Sequence, residues 1–200
     1  MKICNIILIS VLFLSQPIYG QKNKRFETVN IQTELGDILV KIDLKNAPVT
    51  SANFLRYVDA NLFDSSCFYR VVRSDNQLRD SVKIEVIQGG RYKDEDNGFP
   101  PISHETTEMT GLKHLDGVIS MARSSPGTAT SEFFICVGDQ PQLDFGGSRN
   151  KDGQGFAAFG RVIKGMDVVH KIHSISAPGQ YLVSPVKILT IKKKSESKFR

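Results

Sequence analysis

The chain contains no tryptophan, three cysteines and no apolar run of membrane-spanning length in its 200 residues. The longest run, Ile3 to Leu14, falls short of the roughly 20 residues that a spanning helix needs. It follows Lys2 and precedes Pro17, Gly20 and the polar stretch QKNKR. A charged start, a short apolar region and a small residue before polar sequence predict a secretory signal peptide over residues 1–20. The mature chain is then expected to begin near Gln21 and to be exported, either periplasmic or secreted. No stable membrane insertion is expected once the signal is removed. Cys4 leaves with that segment, so Cys67 and Cys136 allow one internal disulfide at most. Both sit inside apolar strand patterns, where a thiol serves as a small hydrophobe, and free thiols are expected.

Excess charge is also missing from most of the chain. The formal net charge is +5, but Lys192, Lys193, Lys194, Lys198 and Arg200 stand against Glu196 alone in the last nine residues. The rest of the mature chain balances, with 20 basic and 20 acidic residues. Basicity is therefore a property of the C-terminal end (192–200), whose basic tail (194–200) is expected to be solvated rather than to bind nucleic acid. Several chemical signatures are absent as well. No G-x-S-x-G elbow suggests a hydrolase. The loop GGSRNKDGQG (146–155) lacks both the Gly-Lys-Ser/Thr of a P-loop and the spaced carboxylates of an EF-hand. His170 and His173 stand three apart on a predicted helix without a third ligand, so no metal site is expected. His114 falls in a predicted turn, where a structural role is expected.

What is present is a series of short alternating strands. Val29–Thr33 and Ile38–Leu44 flank a Gly36-Asp37 turn and form a hairpin. Pro48 opens a helix over about 47–60, with Phe54, Val58 and Leu62 at four-residue spacing. Residues 67–73 alternate, with Phe68, Arg70 and Val72 on one face and Cys67, Tyr69 and Val71 on the other. A polar linker leads to a strand over 83–88, with Val86 and Gln88 on one face, and then Gly89-Gly90. A long Gly- and Pro-punctuated loop precedes the central stretch VISMARSSPGTATSEFFICV (118–137), two strands around a turn-rich connection. In its second strand Phe133, Ile135 and Val137 suit a core, whereas Phe134 shares the other face with Glu132 and Cys136. Phe134 is either an accident of packing or the floor of a shallow apolar pocket. Strands over 156–162 and 185–192 flank a short helix from Gly165. About eight strands, two helices and no βα alternation predict a mainly β fold, an antiparallel barrel capped by helices.

Six segments in order, FYRVV (68–72), QGG (88–90), GLKHLDGVISMAR (111–123), SEFFICV (131–137), LDFGG (143–147) and FAAFGRVIKGMDVV (156–169), resemble the cyclophilin-type peptidyl-prolyl cis–trans isomerases. The resemblance implies an eight-stranded antiparallel β-barrel capped by two α-helices, with the domain spanning residues 26–193. It places the catalytic Arg at Arg70 and the Gln that steadies the substrate backbone at Gln88. The proline pocket falls to Phe134, Leu143 and Val86, with Phe156 where family members carry a His. Ala122 and Arg123 stand at the positions that bind the residue before proline, and only the Ala is kept. Glu132 replaces a substrate-binding Gln, Glu85 and Val86 replace a Phe and a Met, and Gln142 replaces the Trp of many eukaryotic members. The linker between Arg70 and Gln88 is longer than in compact members.

The resemblance implies no cofactor and, as partners, proline-containing unfolded or nascent exported polypeptides met by a monomer. Glu132 is positioned to pair with Arg70, orienting it or competing for it. The departures at Glu85, Val86 and Glu132 leave a second reading, a proline-peptide-binding chaperone or interaction module with little turnover. Gln142 cannot supply an indole N–H. Weak cyclosporin binding is therefore expected, and nanomolar affinity by calorimetry would contradict it.

Overall fold

The structure is a computed structural model that describes residues 24–91 and 98–194. The expected signal peptide and most of the basic tail lie outside the described residues. The strands are β1 (Phe26–Thr33), β2 (Gly36–Asp43), β3 (Cys67–Val72), β4 (Val86–Gly90), β5 (Val118–Met121), β6 (Phe133–Cys136), β7 (Ala157–Lys164) and β8 (Tyr181–Lys193). They close into a barrel in the order β1-β2-β7-β5-β6-β4-β3-β8, and every neighbouring pair is antiparallel. Closure leaves no unpaired sheet edge, so the barrel exposes no row of free backbone groups.

Two helices cap this barrel as expected, α1 (Pro48–Asp59) and α3 (Met166–His173). A third, α2 (Thr107–Thr110), is a single turn within the long loop, too short for any periodicity to signal. Thr106 caps its start by accepting from the Met109 N–H, and Gly111 ends it at φ +72°. From α1, Phe54 packs against the rings of Phe63, Phe133 and Phe159 at 5.2–5.6 Å. From α3, Val169 and Ile172 are fully buried. His170 and His173 do not converge. His170 is exposed, while His173 is buried and bonds the Val72 carbonyl at 3.1 Å.

Strict alternation fails at several register shifts, and the one that shapes the site is in β3. Phe68 pairs with Gly89, yet Arg70 pairs with the adjacent Gln88, so Tyr69 is an extra residue. This bulge switches the face of the strand. Phe68 and Val71 enter the barrel core, and Arg70 and Val72 face outward, so Phe68 and Arg70 do not share a face as alternation predicted. Several strand limits also move, and two of the shifts have a clear physical reason. β4 begins at Val86 because the preceding residues fold around Asn76 and Gln77, whose buried amides bond the carbonyls of Val71, Ala177, Arg73 and Ile84. β8 begins at Tyr181 rather than 185. Pro185 falls in the irregular step between the Phe68–Val186 and Arg70–Tyr181 pairs, where its missing N–H breaks no ladder bond.

Both cysteines are free thiols. Cys67 lies opposite Gly90 and Cys136 opposite Val86, at the two ends of β4. Four strand steps along β4 alone separate them by roughly 13 Å, and the two strand spacings across it add to that, too far to bridge.

The N-terminus of α1 has no side-chain cap of its own. Glu105 supplies one from the long loop. Its carboxylate accepts from the N–H groups of Val49 and Thr50 at 3.1 and 2.7 Å and from the Thr50 hydroxyl at 2.6 Å. A negative charge there also opposes the positive end of the helix dipole. Glu105→Ala should lower stability by about 2 kcal/mol and the melting midpoint by roughly 4–8 °C, read by calorimetry. An unchanged midpoint would show that water replaces the cap.

Candidate active site

Barrel parity sorts the apolar residues into two clusters. Phe133, Ile135 and Ile87 face the interior, while Val72, Ile84, Val86, Phe134, Cys136 and Leu143 form a second cluster on the outer face. Ala122 and Phe156 pack against it. This outer cluster floors a cavity of about 230 Å³. Phe134 is its base, 4 % exposed, with Phe156 edge-on at 5.3 Å between ring centres. Arg70, Val86 and Gln88 enter from β3 and β4, Ala122 and Arg123 from the end of β5, and Leu143 from the loop after β6. The structure thus brings together every expected site residue except Glu132.

Behind the pocket, three polar side chains hold Phe134 in place. His114 stacks on its ring at 6.0 Å, donating or accepting between Asp144 Oδ1 (2.8 Å) and Ser120 Oγ (3.0 Å). All three are buried, so this Ser, His and Asp set supports the pocket from behind.

Arg70 is held by two amide oxygens. Gln88 Oε1 accepts from its Nη1 at 2.9 Å, and Gln180 Oε1 accepts from Nε and Nη2 at 3.1 and 2.5 Å. Burial pulls the guanidinium below its ordinary value, but an arginine remains charged at any ordinary pH. Glu132 does not pair with Arg70. Its carboxylate instead accepts from the Tyr69 hydroxyl and from the backbone N–H of Arg91. Tyr69 in turn accepts from Gln88 Nε2 at 2.6 Å.

Arg123 lines the cavity, but its guanidinium is committed to the loop beyond. It forms a bidentate pair with Asp152 at 2.8 and 2.9 Å and donates from Nε to the Gly155 carbonyl at 2.9 Å. Arg149 plays the matching part on the other side. Its Nη1 donates to the Val82 carbonyl and to Gln77, and its Nη2 pairs with Asp80. The long linker before β4 is thereby docked at the cavity rim, with Ile84, Arg149 and Asn150 as additional lining residues. Sequence reasoning missed these three and Gln180. Gln180 lies 110 positions from Arg70 and carries φ +69°, which no residue pattern signals.

The Gly-Gly pair after Gln88 has two separate reasons. A Cβ on Gly89 would lie 2.8 Å from the Cys67 carbonyl and the Phe68 ring, against the bulged strand. A Cβ on Gly90, at φ +141°, would lie 2.7 Å from Glu132 Oε1. Among the described residues no three His, Cys, Asp or Glu side chains cluster as a metal site would require.

A closed eight-stranded barrel with an apolar pocket and an outward Arg is shared with a known class of proteins. The family model described as cyclophilin type peptidyl-prolyl cis-trans isomerase/CLD matches residues 28–193. The chain belongs to this family of isomerase enzymes. It is 35 % identical over 176 residues to a peptidyl-prolyl cis-trans isomerase of Acinetobacter baylyi, covering 84 % of this chain and 85 % of that one. It is 34 % identical over 152 residues to peptidyl-prolyl cis-trans isomerase B of Escherichia coli, covering 74 % and 85 %. A crystal structure of a Cryptosporidium parvum cyclophilin type isomerase superposes with a TM-score of 0.69 at 22 % identity, over 86 % of this chain and 99 % of that one. The same protein in the presence of the dipeptide Ala-Pro gives 0.68 at 22 % identity, over 85 % and 100 %.

Gly90→Ala should destabilise the protein by about 1–3 kcal/mol, because both its φ and the Glu132 carboxylate oppose a Cβ. Gly179→Ala, with nothing within 4 Å of the new Cβ, should stay within about 0.5 kcal/mol of wild type in the same urea titration.

Proposed function

We propose that this isomerase acts at the cavity between Arg70 and Phe134, with Arg70 as its catalytic residue. The observation that carries the reading is a guanidinium, fixed by two amides, above a buried apolar floor. An X-Pro bond rotates slowly because amide resonance holds it planar, with a barrier of about 18–20 kcal/mol. No covalent bond has to break; the site has only to favour the twisted amide over either planar form. Twisting leaves a lone pair on the proline nitrogen. Arginine has five N–H donors, and the contacts to Gln88 and Gln180 occupy one on each nitrogen. One N–H on Nη1 and one on Nη2 remain for that nitrogen.

The other residues supply restraint. Phe134, Leu143, Val86 and Phe156 take the pyrrolidine ring. Gln88 keeps a second amide N–H for the substrate backbone, and the end of β5 at Ala122 lies beside the residue before proline. Arg123 shapes this wall through its hold on Asp152 rather than by touching the chain. Acceleration by about 10⁴-fold requires roughly 5.5 kcal/mol. One charged hydrogen bond that strengthens on twisting supplies about 1.5–3 kcal/mol, and restraint of the chain supplies the remainder. The substrates proposed are unfolded or newly translocated polypeptides carrying X-Pro bonds, met by a monomer outside the cytoplasm. Residues 1–20, with their signal-peptide pattern, support that location.

Proline exchange measured by NMR on a short X-Pro peptide tests the reading. Arg70→Ala should lower kcat/KM by about 10–100-fold while the peptide still binds. If the variant matches wild type, the assignment of Arg70 is wrong.

A further inference from the structure

Glu132 is a carboxylate placed where burial works against it. Its Oε2 is buried without a hydrogen-bond partner among the described residues, and burial pushes the acid up to about 6. A carboxyl raised in the folded state adds stability at low pH, and that stability is lost as pH rises through its folded value. Ionised Glu132 therefore weakens the fold above about pH 6. Something other than stability must account for the acid.

What the acid provides is direction. An ionised carboxylate can only accept hydrogen bonds, so the Tyr69 hydroxyl has to donate to it. That leaves the Tyr69 oxygen to accept from its other neighbour, Gln88 Nε2, at 2.6 Å. The Gln88 amide is thereby turned with Oε1 towards Arg70, where it accepts from Nη1 at 2.9 Å. On the far side the Gln180 amide is fixed in the same sense, its Nε2 donating to the Asn76 carbonyl at 3.3 Å. We propose that Glu132, acting through Tyr69, is a positioning residue that sets the orientation of the Gln88 amide and so the aim of Arg70. The inference rests on the reading of Arg70 as the catalytic residue.

Protonation releases the chain. A neutral acid can donate as well as accept, so Tyr69 becomes free to donate to Gln88. The Gln88 amide is then held in its present sense by Arg70 alone and can sample the reversed orientation, in which its N–H₂ meets the guanidinium donor against donor. Among the described residues, the groups facing Glu132 are Tyr69 and Cys67 from β3 and Arg91 after β4. Burial and the Glu132 charge push both the phenol and the thiol up, and an arginine is charged throughout. Within this relay Glu132 alone changes charge near neutrality.

The test is the pH profile of proline exchange on a capped X-Pro peptide without titratable side chains. Wild-type kcat/KM should fall at least about threefold from about pH 7.5 to about pH 5, with a midpoint near the Glu132 value. Glu132→Gln should remove that acid limb. Tyr69→Phe should remove it and also lower the plateau, since Gln88 loses its acceptor. A purely structural role, or a titrating histidine elsewhere, would leave the limb intact in both variants. The Gln88 side-chain N–H₂ signals of the wild type should follow the same titration, a readout that needs no variant. A flat wild-type profile, a limb that persists in either variant, or Gln88 signals that do not move would overturn the inference. Arg70→Ala in the same assay separates the two ideas. Full activity in Arg70→Ala sinks the catalytic assignment itself, whereas its loss alongside a flat wild-type profile sinks only the role of Glu132.

Discussion

The site depends on one broken alternation. A strand with a period of two would send Phe68 and Arg70 to the same side, and one of them would be misplaced. The extra residue at Tyr69 lets Phe68 fill the barrel core while Arg70 faces the pocket. It also turns the Tyr69 hydroxyl towards Gln88 and Glu132. Gly89 allows β4 to approach the bulged strand closely enough for this, which a Cβ would prevent. The geometry around Arg70 is thus a backbone property first and a side-chain property second.

The pocket is the outer face of a wall whose inner face is core. β6 shows this most directly, with Phe133 and Ile135 inside and Phe134 and Cys136 outside, all nearly or fully buried. Because the same strands serve both clusters, the pocket floor is as rigid as the barrel. The loops that complete the site lie outside this ladder and are pinned by charge as well as by the packing of Leu143 and Ile84. Arg123 holds Asp152 and Gly155, and Arg149 holds the linker at Val82 and Asp80.

Much of this was legible in the sequence, for reasons that can be named. The barrel and its two main helices followed from short alternating strands and from the spacing of Phe54 and Val58. The pocket followed from the parity of Phe134 and Val86, together with the six-segment resemblance to a known family. What was not legible was non-local. The bulge at Tyr69 breaks the very periodicity used to assign faces, so Phe68 was placed on the wrong one. Gln180 and Glu105 act on partners 110 and 56 positions away, and neither lies in a pattern that points there. The pairing of Glu132 with Tyr69 rather than Arg70 was hidden for the same reason, since it depends on how the bulge turns the two side chains.

The placement of the two thiols at opposite ends of β4 bears on how this barrel closes. Neither thiol can reach the other while the barrel is closed, and the barrel closes through its own ladder and core without a covalent staple. Closure therefore requires no cross-link between these two thiols. A barrel of this design holds its shape by hydrogen-bond ladder and packing, and a disulfide between β3 and β6 is no part of its closure.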